Sequence, residues 1–301
     1  MSYYIHLGSS TVKIYEYQDK KVELISEKSI LFKSFYDQES GISLKNYRML
    51  LTYLKDCIKQ FGLNRDNTKI YATGIWRKIP QSQIELIQAD IYDAGLKFHV
   101  ISHEQENHYF QKAMQGIYDR KRVLMVNMGG KTTEIVVYDK GNMIDKKNLT
   151  IGVADILEEF PNINDIDSNP SSEEIVNYGL KLLENIEIPY EFDCAIHTGG
   201  ELRFQKLAGY PLVKNTVFED GIHEFMISFV EFSKRNQELL KIPQQELYNL
   251  MPSNPTWMEG AKAGAYLGEI IFKKAKIDWI VPSDLNIVHG IVKEEERLNK
   301  N

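Results

Sequence analysis

Three short segments of this chain place glycine beside serine or threonine directly after an apolar run: LGSST at 7–11, MGGKTTE at 128–134 and HTGGELR at 197–203. A bound phosphate needs several hydrogen-bond donors and no carboxylate close enough to repel it. Backbone N–H groups at a tight glycine turn meet that need, because glycine allows both the bend and the close approach of an anion. The hydroxyls of Ser9, Ser10, Thr11, Thr132 and Thr133 add donors. One such segment alone reads better as a plain hairpin or strand–helix turn. Three of them at strand ends of a single chain predict a phosphate site.

Other chemistries fit less well. HEQENH suggests zinc, but His103 and His108 are five residues apart, about 140° around a helix, and cannot share one face. No G-x-x-x-x-G-K-[ST] loop occurs. Cys57 and Cys194 fit no metal or redox spacing and read as reduced thiols. NLT at 148–150 is a glycosylation acceptor only in a secreted chain.

The elements that would position these segments follow from hydrophobic periodicity. YYIHLGS, TVKIYEY and KKVELISEKSILF read as three strands. SLKNYRMLLTYLKDCIKQFGL has Tyr47, Leu50, Leu51, Leu54 and Ile58 at helical spacing, with Gly62 as its stop. TKIYATG and FHVIS are strands, and SQIELIQADIYDAGL and EQENHYFQKAMQGIYD are helices. The order βββαβαβα predicts a mixed sheet covered by helices.

The pattern then restarts. A shift of 121 residues lays His6 on Asn127, Gly8 on Gly129, Thr11 on Thr132, Ile14 on Ile135 and Tyr17 on Tyr138. This predicts a duplicated α/β unit with a ligand between the copies, as domains 1–122 and 123–301, the last helix packing back on the first. In the second half, SEEIVNYGLKLLENI, ELRFQKLA, HEFMISFVEFSKRNQELL and WMEGAKAGAYLGEIIFKKA read as helices. CAIHTGG and WIVPSD read as strands, and the chain closes on a polar tail helix.

Bulk properties narrow the field. The chain has 301 residues, 43% hydrophobic and 26% charged, with a net charge of −6. That is ordinary for a globular protein of two domains. No overall basic field favours nucleic acid. No apolar run spans a membrane, and the N-terminus has no leader pattern, so a cytoplasmic protein is expected.

Taken together, IHLGSSTVKI, YATGIWRKI, ISHEQEN, VNMGGKTTEIVVY and IHTGGELRFQKLA resemble, in order and spacing, the motifs of the exopolyphosphatase / guanosine pentaphosphate phosphohydrolase (Ppx/GppA) family. VPSDLNIVHGIV resembles its closing motif, so the likeness runs from residue 3 to residue 292. The resemblance implies an α/β actin-like ATPase (ribonuclease H-like) duplicated fold, two α/β domains around a central cleft. It also implies release of a terminal phosphate from polyphosphate or guanosine pentaphosphate, with a divalent metal such as Mg²⁺. Carried onto matching positions, the catalytic base is Glu106, and Glu134 helps hold metal and water. Arg77 grips phosphate, Gly129, Gly130, Thr132 and Thr133 form the turn, and Gly199, Gly200 and Arg203 form a further loop.

The departures are equally specific. The family's two loop aspartates are His6 and Asn127 here, and its third turn glycine is Lys131. An arginine is replaced by Asp155, a threonine by Glu201, and an Arg-Glu pair by Val288-His289. Mg²⁺ prefers hard, anionic oxygens, so these changes remove most of its expected ligands. Lys131 can supply positive charge at the turn in place of a metal, and His6 reads as a hydrogen-bonded turn histidine. Hydrolysis with altered metal use is the expected activity, and a non-catalytic phosphate- or nucleotide-binding sensor is the alternative. An actin-like kinase and a scaffold are weaker readings. The chain ends where the two-domain core ends, so a phosphorylated small molecule or short polyphosphate is the expected partner. Nucleic acid and membrane are not expected, and a homodimer is left open.

Overall fold

A computed structural model describes residues 1–33, 35–114, 121–219, 222–252 and 254–298. The chain divides into two compact units, Met1–Ala113 with Ile287–Asn301, and Met114–Asn286.

The first unit is built on β1 (Ser2–Leu7), β2 (Thr11–Gln18), β3 (Lys21–Ser29), α1 (Leu44–Phe61), β4 (Thr68–Ala72), α2 (Gln81–Asp93), β5 (Phe98–Val100) and α3 (His103–Met114). Its sheet has the order β3-β2-β1-β4-β5. β1 and β2 form an antiparallel hairpin, while β4 and β5 add in parallel beside β1. Parallel neighbours need helical crossovers, which α1 and α2 supply. Ser43 caps α1 by accepting the Asn46 N–H, and Gly62 ends it in the left-handed conformation at φ 67°. The core joins Ile5, Leu7, Val12 and Ile14 of the hairpin to Leu50, Leu54, Trp76 and Ile87.

The second unit contains β6 (Arg122–Met128), β7 (Thr133–Asp139), β8 (Asn142–Leu149), α4 (Val153–Glu159), α5 (Ser172–Leu182), β9 (Cys194–Thr198), α6 (Glu201–Leu207), β10 (Val213–Lys214), β11 (Phe225–Ser228), α7 (Phe229–Leu240), α8 (Gln244–Leu250), α9 (Ala261–Lys274) and β12 (Trp279–Pro282). The sheet order is β10-β11-β12-β9-β6-β7-β8. Read from β8, the first five strands repeat the first unit: an antiparallel hairpin and its edge strand, then two parallel strands. The 121-residue shift holds at the level of hydrogen bonding, since His6 pairs with Lys13 and Asn127 with Glu134. This duplicated unit is the actin-like plan.

Three local expectations need correction. HEFMIS begins as strand β11, because Met226 and Ile227 are buried and Ile227 pairs with Ile280 of β12. The helix starts afresh behind it, where Ser228 accepts the Glu231 N–H. WMEGAK opens as a 3-10 turn, Pro255–Gly260, before α9 proper. The closing helix, α10 (Ile287–Leu298), is amphipathic rather than polar, burying Ile287, Val288, Gly290, Ile291 and Val292. It belongs to the first unit, where a Cβ on Gly290 would meet the Tyr109 carbonyl oxygen of α3 at 1.6 Å. Tyr4 and Lys69 of the sheet hold its Glu295. The end of the helix expected beyond Met114, through residue 119, lies outside the described residues.

Candidate functional site

In the first unit the turn between β1 and β2 is closed by the Gly8 N–H donating to the Thr11 carbonyl at 2.9 Å. A 3-10 turn, Gly74–Arg77, follows β4 and packs against it. The Trp76 indole donates to the Gly8 carbonyl at 3.1 Å, and the Ile75 N–H donates to Ser9 Oγ at 3.1 Å. Gly74 sits at φ 67°, and a Cβ there would meet Ser9 Oγ at 2.3 Å, so glycine is required for the approach. Ser10 accepts the Ile30 N–H through its carbonyl. The peptide is planar and trans, so anchoring the Gly8 carbonyl on Trp76 turns the Ser9 N–H to the other side of the chain. Neither the Ser9 nor the Ser10 N–H has a backbone acceptor among the described residues.

The same 3-10 turn carries Arg77. Its Nη1 donates to Glu106 Oε2 at 2.7 Å and to the Ile101 carbonyl at 3.3 Å. Glu106 is placed by a capping box on α3, with Ser102 and Gln105 exchanging side-chain-to-backbone hydrogen bonds and the Glu106 N–H donating to the Ser102 carbonyl. Both side chains are about one-quarter exposed, and His103 Nδ1 lies 4.0 Å from the same carboxylate oxygen. The arginine and glutamate assigned from separate motifs therefore form one ion pair. His6 is bonded to the Thr73 hydroxyl at 3.0 Å. Burial and the nearby Lys13 push its imidazole down to about 3, so the ring is neutral.

The second turn repeats the first. The Gly129 N–H donates to the Thr132 carbonyl at 2.7 Å. Here the supporting element is α4, whose Val153 and Ala154 N–H groups donate to the Gly129 and Gly130 carbonyls at 3.0 and 2.7 Å. Gly152 makes this possible, since a Cβ would lie 2.5 Å from the Gly129 oxygen and 2.6 Å from the Lys131 nitrogen. Asp155 caps α4 by accepting the Gly152 N–H at 2.8 Å, which gives that substituted position a structural task. With both carbonyls held on α4, the N–H groups of Gly130 and Lys131 are turned away from it and have no backbone acceptor among the described residues.

The side chains of this turn are less available than its backbone. Lys131 is 2.5 Å from Glu158 and 3.5 Å from Asp155, and its hydrogen bond to Glu158 holds the ammonium above its ordinary range. The buried Thr133 hydroxyl donates to the Ile151 carbonyl, while Thr132 is exposed. Glu134 is 2.5 Å from Lys146 on β8. These partners, Glu158 and Lys146, were not singled out in the sequence, since nothing local marks a partner many residues away or across a sheet.

The third loop follows β9, with Gly199 and Gly200 at φ 107° and 105°. Asn127 Oδ1 would lie 3.5 Å from a Cβ on Gly199, and the Arg203 N–H donates to Asp284 Oδ1 at 3.1 Å. This loop, the second turn and α9 enclose a cavity of about 170 Å³ lined by Gly129, Gly130, Gly199, Glu201, Phe204 and Trp257, among others. Glu201 is 3.4 Å from His197 Nδ1. Burial, reinforced by Asp284, pushes the Glu201 carboxyl up to about 8, and burial pushes the His197 imidazole down to about 3. Both are neutral at pH 7.

The donors do not fit Mg²⁺. Each turn, taken alone, offers a neutral side chain where an aspartate would serve, and the carboxylate of Glu134 already faces an ammonium. No cluster of three His, Cys, Asp or Glu side chains suited to a metal occurs among the described residues. No helix there is long and apolar enough to cross a membrane.

A model of the Ppx/GppA phosphatase family matches residues 16–298, and the chain belongs to that family. No protein with a curated description matches it in sequence. Among solved structures it is similar to the Aquifex aeolicus member of the Ppx/GppA family, with 20% identity and a TM-score of 0.68, covering 100% of this chain and 98% of that one. It is also similar to an exopolyphosphatase from Cytophaga hutchinsonii, with 12% identity, a TM-score of 0.69 and coverage of 97% and 96%.

Proposed function

From membership of the Ppx/GppA phosphatase family, we propose that this chain is a phosphohydrolase that releases the terminal phosphate of polyphosphate or guanosine pentaphosphate. The observation that carries the reading is the pair of glycine turns whose carbonyls are anchored while adjacent N–H groups have no backbone acceptor among the described residues. Such N–H groups suit the oxygens of a phosphate chain and cost nothing to reorganise when charge grows on them.

Arg77 and Glu106 supply the rest. Arg77 binds phosphate oxygens through its planar fork, exchanging its partner Glu106 for the substrate. Glu106, released from that pair, accepts a proton from a water aligned on the terminal phosphorus. The water oxygen bonds to phosphorus as the bridging P–O bond breaks, and the shortened chain leaves with the bond's electrons. The backbone donors and Arg77 carry the neutralisation that a metal would otherwise share.

A second reading is favoured by one observation, the ion pair of Glu134 with Lys146, which removes the turn's carboxylate from water and metal. In that reading the chain binds phosphate compounds without cleaving them. The deciding experiment measures phosphate release from both substrates by purified protein with Mg²⁺, with Mn²⁺ and with chelator. Release that falls by a factor of about 10² or more in Glu106→Gln supports the hydrolase. No release under any of these conditions, with binding retained in calorimetry, establishes the binding protein instead.

A further inference from the structure

Helix α1 carries Lys45, Arg48, Lys55 and Lys59, all exposed, against a single acid, Asp56. At 100° per residue these four cations fall within an arc of about 80°. They form a stripe roughly 21 Å long from the helix rise per residue. Beside its N-terminal end lies a groove of about 440 Å³ lined by Lys28, Lys45, Arg48, Leu44, Met49 and Thr52. Lys28 reaches this groove from β3, its ammonium 5.6 Å from the Tyr53 ring centre.

An ordinary solvated helix face mixes charges and pairs them at i, i+4. None of these five cations is within ion-pair distance of a carboxylate among the described residues. The first turn of α1 has no acid, and Lys45 and Arg48 stand near the end where the helix dipole disfavours cations. At the N-terminal end of α1 local preference is broken without a compensating ion pair among the described residues, in a chain whose net charge is −6.

A single phosphate cannot span the stripe, so its complement is an extended polyanion. Single-stranded nucleic acid would ask for exposed rings along the stripe to stack on, but Tyr53 of α1 is buried and the Tyr47 hydroxyl is held by Asp90. A membrane would need the apolar face of α1, and Leu50, Leu54 and Cys57 are in the core. We propose that the basic stripe of α1 and the groove beside Lys28 bind the distal part of an inorganic polyphosphate chain. The inference rests on the family reading for its ligand class and deepens it, favouring a long chain over the short ligand expected from sequence length.

Binding of long-chain polyphosphate and of tripolyphosphate to the full chain is measured by calorimetry in chelator across a salt series. The native protein binds the long chain about tenfold or more tightly than tripolyphosphate, with a steeper salt dependence. In Lys45→Gln/Arg48→Gln/Lys55→Gln/Lys59→Gln that preference disappears and the salt slope falls by about 3, while tripolyphosphate binding is unchanged. Lys181→Gln/Lys234→Gln/Lys241→Gln/Lys276→Gln, which removes the same charge from exposed positions of the second unit, retains the preference. Circular dichroism checks that both variants fold.

The proposal is overturned if the native protein shows no length preference, if the stripe variant keeps it, or if the control loses as much. It is also overturned if single-stranded RNA or an acidic peptide binds through the stripe and polyphosphate does not. Phosphate release plays no part in this readout. A chain that cuts nothing yet shows stripe-dependent length preference would lose the hydrolase reading and keep this one.

Discussion

Arg77 and Glu106, 29 residues apart in sequence, meet at 2.7 Å in the first unit, one from a 3-10 turn after β4 and the other from the first turn of α3. Partly exposed pairs of this kind contribute roughly 0.2–1 kcal/mol to stability. The pair is therefore poorly explained as a fold-stabilising contact. Arg77→Met and Glu106→Gln should each shift the denaturant midpoint by less than about 1 kcal/mol in free energy, yet each should lower phosphate release by about 10² or more. Urea unfolding followed by fluorescence, together with initial rates, checks both halves. A large stability loss with near-native rates would make the pair structural.

Gly152 holds α4 against the second turn. Gly152→Ala drives a Cβ to within 2.5 Å of the Gly129 oxygen, a contact that backbone atoms can relieve only by moving. Overpacking of this sort costs about 1–3 kcal/mol. The expected outcome is that loss in thermal or urea unfolding, accompanied by weaker phosphate binding in calorimetry. Unchanged phosphate affinity would show that the turn does not bind anions through its backbone.

The buried Glu201 carboxyl gives a pH signature. Its folded pKa of about 8 lies above the ordinary 4.5, so the folded chain holds a proton that the unfolded chain releases. Its contribution is fully present below pH 4.5 and is lost as pH rises from 4.5 through 8. His197 works in the opposite sense, since its folded value of about 3 lies below the ordinary 6.5. Its contribution is present above pH 6.5 and lost as pH falls towards 3. Glu201→Gln should therefore gain on the native protein by about 1.4 kcal/mol per pH unit between pH 4.5 and 8. Urea unfolding at several pH values measures the difference. Parallel curves for the two proteins would show that Glu201 is ionised in the fold.

The ligand set of the second turn can be rebuilt. Asn127→Asp restores an anionic oxygen opposite Glu134 in the hairpin, and Lys146→Met removes the ammonium now 2.5 Å from Glu134. The double variant should bind Mg²⁺ or Mn²⁺ at least tenfold more tightly than the native chain in calorimetry, a change of about 1.4 kcal/mol. Equal affinities would mean that the two substitutions are not what sets metal binding.

The hairpins were legible in sequence because their signal is local. Alternating apolar residues around a glycine fix the strands and their turn, and the 121-residue echo reappears as matched pairing of His6 with Lys13 and Asn127 with Glu134. What was not legible depends on partners remote in sequence. Nothing around Glu134 announces Lys146, and nothing around Lys131 announces Glu158 as its holder. Ser228 with Glu231 three residues on does mark where α7 starts, but the strand in front of it shows only in the pairing of β11 with β12. Gly290 reads as an unremarkable helical glycine until the Tyr109 carbonyl of α3 is set against it.

The anchoring of the Gly129 and Gly130 carbonyls on α4 bears on how such a protein can change over generations. Amide hydrogens are common to nearly all residue types, so the anion binding proposed for the second turn would not be encoded by side chains that mutation readily erases. Asn127 and Lys131 could arise, and the chemistry around them drift, while the main chain went on presenting the same donors. On the proposed reading, retention of a ligand and retention of a reaction would be under separate genetic control, and the first would be the harder to lose.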